Sequence, residues 1–416
     1  MPDTTLYRAL FGATVSLHYL FPLITIGGSF VGLLWVLFKK HLNLDHFGRP
    51  IQLMGSAVLM GILSGYALEF QLLKVWEGYS EVLHQVYGNA IANEGLLSAG
   101  CLALSWGILR WGHKREQYAV LVVGSSMLFA STLISSFYIV SLNSWMQHPD
   151  GVLLMSNPFG AELIVDDPNA IFWNPTYLPR LQHVLLGAGL VGAGYGLWIL
   201  GRIPKMARAF GAVLGILTLV QWASGHDSAQ QAAQYQPEKF AAFEGHFEPY
   251  GPADLVLVGQ PDEETHQTQG IKLPGFASWL LYGKTDQDVI GLDAYNARMQ
   301  PDWVQGAFQS YHLMVTVGGL LLLFAAGLMI GPVSWLKNLS VWVLPLALFG
   351  NLVGWMAAEV GRQPWAIRGI LTTEDALGDP SKPLWLLAVS LLLLTGCLGL
   401  AVGFGRSLVA TRKAIA

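Results

Sequence analysis

Stretches of about twenty mostly apolar residues recur along this chain, each long enough for a helix to cross the hydrocarbon core of a bilayer. Candidates stand near residues 12–38, 52–73, 92–111, 118–141, 180–201, 208–224, 308–331, 340–360 and 383–405. In lipid every backbone N–H and C=O must be satisfied within the segment, so these runs read as helices. Composition agrees: of 416 residues, 53% are hydrophobic and only 12% charged, against about a quarter charged in soluble domains. The expected fold class is all-α, a polytopic membrane helical bundle of about nine transmembrane helices. A net charge of −4, with no basic tail or like-charge block, points to no nucleic-acid partner. Cys101 and Cys397 lie inside apolar runs and read as small core residues rather than a disulfide or metal pair. The first apolar run is too long for a cleaved signal peptide and no small-residue cleavage pattern follows, so it reads as a retained first span.

Charge sets the expected orientation. The loops after spans 1, 3, 5 and 7, with the C-terminal tail, carry Lys39, Lys40, Arg49, Arg110, Lys114, Arg115, Arg202, Lys205, Arg208, Lys337, Arg406, Arg412 and Lys413 and almost no acids. The long connections 142–179 and 225–306 carry Asp150, Glu162, Asp166, Asp167, Asp254, Asp262, Glu263 and Glu264. The positive-inside bias then puts the N-terminus outside, the C-terminus in the cytoplasm, and both long connections on the outer face. Three parts follow: 1–224 with spans 1–6, the outward loop 225–306, and 307–416 with spans 7–9.

Ionisable groups inside lipid-spanning segments are costly and mark functional sites. His18, Glu94, His183 and Glu359 are such groups, and Met314 is a soft one. On the expected topology all five sit at a similar depth, towards the outer face. His, Met and carboxylate can bind haem iron axially, and imidazole with thioether makes a six-coordinate electron-transfer haem. A single His or Glu leaves a position open for a gas. The bundle supplies the apolar slot for the macrocycle. Taken singly, each residue has a plainer reading. A buried His serves as a hydrogen-bonding group or proton relay, Met314 as core filler, and Glu94 and Glu359 as interfacial carboxylates. Shared depth raises the haem reading. An ion-coupled transporter and a proton channel remain alternatives.

Span 8 ends Gly354-Trp355-Met356-Ala357-Ala358-Glu359-Val360-Gly361-Arg362-Gln363-Pro364-Trp365. Trp355 and Glu359 share a helix face, with Arg362 one turn on. Gly361 reads as the helix terminator and Pro364 stops continuation. An Arg beside a Glu keeps that carboxylate ionised, and Arg362 also suits a haem propionate. The plain alternative is an interfacial Trp/Arg anchor. In the long loop, Gln236-Pro237-Glu238-Lys239-Phe240-Ala241-Ala242-Phe243-Glu244-Gly245-His246-Phe247 starts with a proline suited to a first helical position. Phe240, Phe243 and Phe247 recur at helical spacing. The expectation is a short amphipathic helix at the membrane interface, serving either as a plain anchor or as a receiver for a lipid-soluble headgroup.

The run from Gly354 to Trp365 resembles the signature of cytochrome bd-type quinol oxidase subunit I. Further matches cover nearly the whole chain. Arg8 precedes His18 by ten residues, as in the family's first span. Glu69-Phe70-Gln71, Trp76 and Tyr79-Ser80-Glu81 lead to Glu94-Gly95-Leu96 in the family's manner. Asn143-Ser144-Trp145-Met146-Gln147 closes span 4 similarly. The resemblance implies a low-spin haem b held by His183 and Met314. It also implies two high-spin haems close together, a haem b with a haem d or a third haem b. His18 and Glu359 would be their ligands, and Glu94 would lie beside or on one iron. Trp355, Arg8 and the position of His312 are implied to lie against these groups. Lys239 and Glu244 stand where the family acts on quinol.

Two positions depart from the family's pattern. A second glutamate, common eight residues after the first, is Leu102 here, which puts the usual proton route in doubt. An arginine common two residues before the haem methionine is His312 here, and a titrating group in place of a fixed charge predicts an altered haem potential or electron donor. The function implied is that of a haem-bearing quinol:oxygen oxidoreductase subunit, a respiratory terminal oxidase of the bacterial cytoplasmic (inner) membrane. It would reduce O2 to water and generate membrane potential. A second, smaller membrane subunit (subunit II type) is the implied partner, with small single-span subunits as further candidates. The alternatives are a bd-like haem oxidoreductase with a non-quinol donor or another acceptor, and a cofactor-free transporter. The transporter would show broken helices in paired halves, and no sign of these is visible.

Overall fold

The computed structural model describes residues 4–38, 48–157, 160–378 and 382–415. Lys39 and Lys40 lie outside the described residues, as do the side chains of Arg49, Glu162 and Lys413. The elements in chain order are α1 (Thr4–Leu37), α2 (Gly48–Lys74), α3 (Glu77–Tyr87), α4 (Ala90–Lys114), α5 (Tyr118–Gln147), β1 (Val152–Asn157), β2 (Gly160–Val165) and α6 (Pro168–Phe172). Then follow α7 (Tyr177–Leu200), α8 (Pro204–Tyr235), α9 (Pro237–Glu244), β3 (Tyr250–Pro252), β4 (Leu255–Asp262), β5 (Gln267–Leu273), α10 (Phe276–Tyr282) and β6 (Asp288–Ile290). The chain closes with α11 (Val304–Ile330), α12 (Val333–Val360), β7 (Trp365–Ile367), β8 (Leu371–Thr372), α13 (Thr373–Leu377) and α14 (Leu384–Ile415).

The chain is a polytopic helical bundle, as the apolar runs require. Among the described residues, 8 helices are long and apolar enough to cross a membrane. The expected third span is α4, a 25-residue helix about 37 Å long. It has the length but not the apolarity, carrying Asn93, Glu94, Arg110 and Lys114. Local signals explain several helix ends. Pro204 and Pro237 open α8 and α9, where a missing N–H leaves no bond unmade. Asp167 caps α6 by accepting from Asn169 N at 2.9 Å.

The centre of the bundle is α7, whose residues from Ala193 to Leu200 are all buried. It packs on α1, α8 and α12. The α1–α7 crossing is set by small residues: a Cβ on Gly27 would stand 2.2 Å from Ala188 O, and one on Gly192 would stand 2.7 Å from Gly27 O. Without side chains at those points, the backbones touch, the usual way in which membrane helices associate closely.

The two long connections are more structured than their polarity implied. The first holds the β1–β2 hairpin and α6, and the second holds α9, α10 and strands β3–β6 in two-stranded antiparallel pairs. α8 also continues through Gly225-His226-Asp227 to Tyr235, past the point where the apolar run ends. Cys397 is buried, but Cys101 is exposed on α4. The expectation of a core site for Cys101 is corrected, because an apolar run in a membrane helix turns towards lipid as readily as towards protein.

Candidate functional site

A cavity of about 1350 Å³ opens inside the bundle, above the roughly 300–1,000 Å³ of ordinary small-molecule sites. Its lining includes Arg8, His18, Glu94, His183, Lys239, Glu244, Met314, Trp355, Glu359 and Arg362. Residues scattered over nearly the whole sequence thus face one space, on six helices and the turn after α12. Of the site residues expected from sequence, His312 is the exception. Its Nδ1 faces Phe308 O at 2.9 Å and its Nε2 faces Val256 O at 2.7 Å, with the ring stacked on Phe308. Val256 sits where the β4–β5 register shifts, so its carbonyl is free for a side chain. His312 binds the loop to α11 and does not line the cavity.

His18 and His183 are each oriented by a serine on a neighbouring helix. His18 Nδ1 meets Ser64 Oγ at 3.1 Å, and that hydroxyl donates to Met60 O at 2.6 Å. With its own hydrogen committed, Ser64 accepts from Nδ1–H, which leaves the Nε2 lone pair of His18 available to a metal. His183 repeats the arrangement with Ser224 Oγ at 3.2 Å from Nδ1. Its Nε2 is approached by Gln221 Nε2 at 3.0 Å, again as the acceptor of a donated hydrogen. Met314 abuts Gly354, where a Cβ would stand 2.5 Å from its sulfur. Trp355 stacks on Tyr19 with ring centroids 5.6 Å apart, forming one wall.

Glu359 is the hub of a polar network. Its Oε2 accepts from Arg362, which also donates to Ala366 O. Its Oε1 accepts from Asn143 Nδ2 at 3.0 Å and from Gln147 Nε2 at 3.4 Å. Arg180 donates to Asn143 Oδ1 at 3.4 Å. Arg180, Arg362 and Lys239 all act electrostatically on this one carboxylate, so the surroundings favour further anions. The buried Nε atoms of Arg180 and Arg362 have no protein partner, and unsatisfied buried donors are unusual.

Lys239 and Glu244 lie on α9, where every residue from Glu238 to Glu244 is buried. This corrects the expectation of a half-exposed interfacial helix. α9 is covered by α8 and α11, and Phe247 lies beyond its end, after the left-handed turn at Gly245 with φ 62. Lys239 Nζ donates to Gln147 Oε1 at 2.8 Å and Ala358 O at 2.7 Å. Burial, with Arg180 near it, pushes the Lys239 ammonium well below its ordinary range. Burial pushes the Glu244 carboxyl up to about 8 against a hydrogen bond from Tyr311. Glu244 Oε2 is buried without a partner, and Tyr311 stacks on Phe243 at 4.9 Å. Gly361 permits the docking: a Cβ there would stand 2.9 Å from Phe243 Cε1 and 3.0 Å from Lys239 Cγ. Its φ of −67 is ordinary, so close approach rather than a left-handed turn explains this glycine.

These residues fit haem. Two histidines whose Nε2 atoms are unprotonated, a thioether and carboxylates line one large, mainly apolar cavity, with arginines suited to propionates. Among the described residues no group of three or more His, Cys, Asp or Glu could hold a bare metal ion. Sequence reasoning passed over Arg180, Ser64, Ser224 and Gln221. The signal for Arg180 was available: a charge one turn before His183 in a spanning helix. The serines gave none, because their partners lie on other helices.

Known proteins agree with this geometry. The family model described as cytochrome bd terminal oxidase subunit I matches residues 6–413. The chain is 28% identical to the cytochrome bd ubiquinol oxidase subunit 1 of Bacillus subtilis, covering 91% of this chain and 86% of that protein. It is 29% identical to a putative cytochrome bd menaquinol oxidase subunit I of the same organism, over 91% and 90%. With the cytochrome bd-II ubiquinol oxidase subunit 1 of Escherichia coli it shares 26% over 89% of each. The structure superposes on the bd oxidase from Geobacillus thermodenitrificans with a TM-score of 0.84 at 23% identity, covering 99% of this chain and 98% of that one. A bundle whose scattered His, Met and Glu side chains meet in one cavity, matched along its length by that family, identifies the chain: it belongs to the cytochrome bd terminal oxidase subunit I family, haem-bearing oxidoreductase subunits of the bacterial cytoplasmic membrane.

Proposed function

We propose that this chain oxidises quinol at α9 and reduces O2 to water deeper in the same cavity. One observation carries the reading: Lys239 and Glu244 open onto the space that His18, His183, Met314 and Glu359 also line. Haem, when bound, supplies one-electron transfer and an iron position open to O2, as a low-spin haem b at His183 and Met314 and a high-spin pair, haem b with haem d or a third haem b, at His18, Glu359 and Glu94. Glu244, as carboxylate, accepts the quinol proton while the electron leaves. Lys239 holds the headgroup oxygen as a hydrogen-bonding partner. Arg362 and Arg180 hold propionates, Arg8 lines the rim, and Trp355 with Tyr19 walls the cavity. Glu94, which accepts from Ser135 Oγ at 2.8 Å, holds a proton near the oxygen site. Leu102, eight residues further along α4, offers none.

The charge bias places the N-terminus and the 225–306 loop outside, so quinol protons leave there while those for water enter from the cytoplasm, generating membrane potential. The parts 1–224, 225–306 and 307–416 then serve as ligand-bearing bundle, quinol loop and closing bundle. A subunit of type II, with small single-span subunits, completes the complex. A non-quinol donor draws on Leu102 and His312; the His312 ring faces a backbone carbonyl away from the cavity, which leaves that alternative to Leu102 alone. The test is steady-state O2 consumption with quinol in Glu244→Gln and Lys239→Met. Both should lose at least about tenfold in turnover, the scale of general-base and charged hydrogen-bond losses, with haem content unchanged. Full turnover would remove α9 from the mechanism.

A further inference from the structure

Gln147, the last residue of α5, is fully buried. Its amide oxygen accepts from Lys239 Nζ at 2.8 Å, and its amide nitrogen donates to Glu359 Oε1 at 3.4 Å. The amide has only one workable orientation: a carboxylate only accepts, so Glu359 must meet the nitrogen, and the oxygen is left for a hydrogen from Lys239 Nζ. Two more bonds clamp the arrangement. Gln236 Nε2, at the start of α9, donates to Gln147 O at 3.0 Å, and Lys239 Nζ donates to Ala358 O at 2.7 Å. Lys239, Gln147 and Glu359 thus form one continuous chain through α9, α5 and α12, all within the protein interior. Hydrogen bonds in such chains polarise one another, and low dielectric strengthens the effect.

We propose that Gln147 is a positioning residue that couples occupancy of the quinol site at Lys239 to the reduction potential of the haem at Glu359. The proposal rests on reading Lys239 as a quinol residue and Glu359 as a haem ligand. A headgroup that draws on Lys239 changes what its Nζ–H offers Gln147, and so what the amide offers the carboxylate. Coupling of this kind is reciprocal: the redox state must shift headgroup affinity by the factor through which the headgroup shifts the potential. A tenfold affinity difference between oxidised and reduced enzyme corresponds to about 59 mV in a one-electron couple.

The experiment is a redox titration of the high-spin haem signal in the purified complex, with and without heptyl-hydroxyquinoline N-oxide, a redox-inert mimic of a quinol headgroup. In the wild type the mimic should shift the midpoint by an amount matching its affinity ratio for the two redox states. In Gln147→Met, similar in volume but unable to bridge, the shift should vanish while haem content is kept. Gln147→Asn, polar but one methylene shorter, should lose it too, and carries the test if the methionine variant fails to assemble. No shift in the wild type, or a full shift in either variant, overturns the coupling. An unchanged high-spin signal in Glu359→Ala overturns the ligand assignment instead, and the two failures are therefore told apart.

Discussion

At the residue scale, the site depends on groups that orient other groups. Ser64 and Ser224 each hold Nδ1 of a histidine, and loss of such a partner typically weakens metal binding by roughly 10–100-fold. Ser224→Ala should therefore lose the low-spin haem signal on dilution or against a haem scavenger, while the high-spin signal stays. Equal retention in variant and wild type would show that His183 needs no such partner. Glu244 gives a pH prediction. Burial raises its pKa from 4.5 to about 8, so the proton-accepting carboxylate grows as pH rises through that value. Quinol turnover should show a rising limb centred near 8, absent in Glu244→Gln. Stability moves the other way. A raised pKa favours the folded state fully below 4.5, and that contribution is lost as pH climbs to about 8. Thermal melts of the two proteins should diverge across that window, the wild type losing stability relative to the variant. A flat pH–rate profile would place the proton acceptor elsewhere.

At the element scale, the decisive contact is α9 against the end of α12. Gly361 leaves room for Phe243 and Lys239, and Arg368 secures the start of α9 through bonds to Glu238 at 2.7 and 3.0 Å. Gly361→Ala should push α9 outward. Overpacking of this kind costs about 1–3 kcal/mol, so thermal stability should fall and the KM for quinol should rise. Unchanged values for both would show that the helix pair yields without penalty. The α1–α7 crossing at Gly27 and Gly192 performs the same task for the core, bringing His18 and His183 to one cavity.

For the whole molecule, a bd oxidase subunit I has to hold haem. The reduced-minus-oxidised visible spectrum of the purified complex, taken with and without carbon monoxide, should show a b-type band and a carbon-monoxide-sensitive high-spin signal. A far-red band would add haem d. Well-folded protein without haem absorbance would refute the ligand set as a whole. His18→Ala should remove part of the high-spin signal and leave the low-spin band, whereas Met314→Ala should do the reverse.

Helical class, the approximate positions of the spans and the family were legible in the sequence, because lipid allows few backbone solutions and apolar runs of this length have one meaning. His18, Glu94, His183 and Glu359, which face the cavity, were legible as well, since an ionisable group in a span announces itself by its cost. Other features were decided only by the tertiary structure. The burial of α9 arises from α8 and α11 packing over a segment that by itself looks amphipathic. His312 leaves the site because a register shift in β4 exposes the Val256 carbonyl to it. Gln147 acquires its two partners from helices far away in the chain. Periodicity reports which face of a helix avoids water, but which neighbour covers that face, and which side chain a buried polar atom then meets, follows from packing alone.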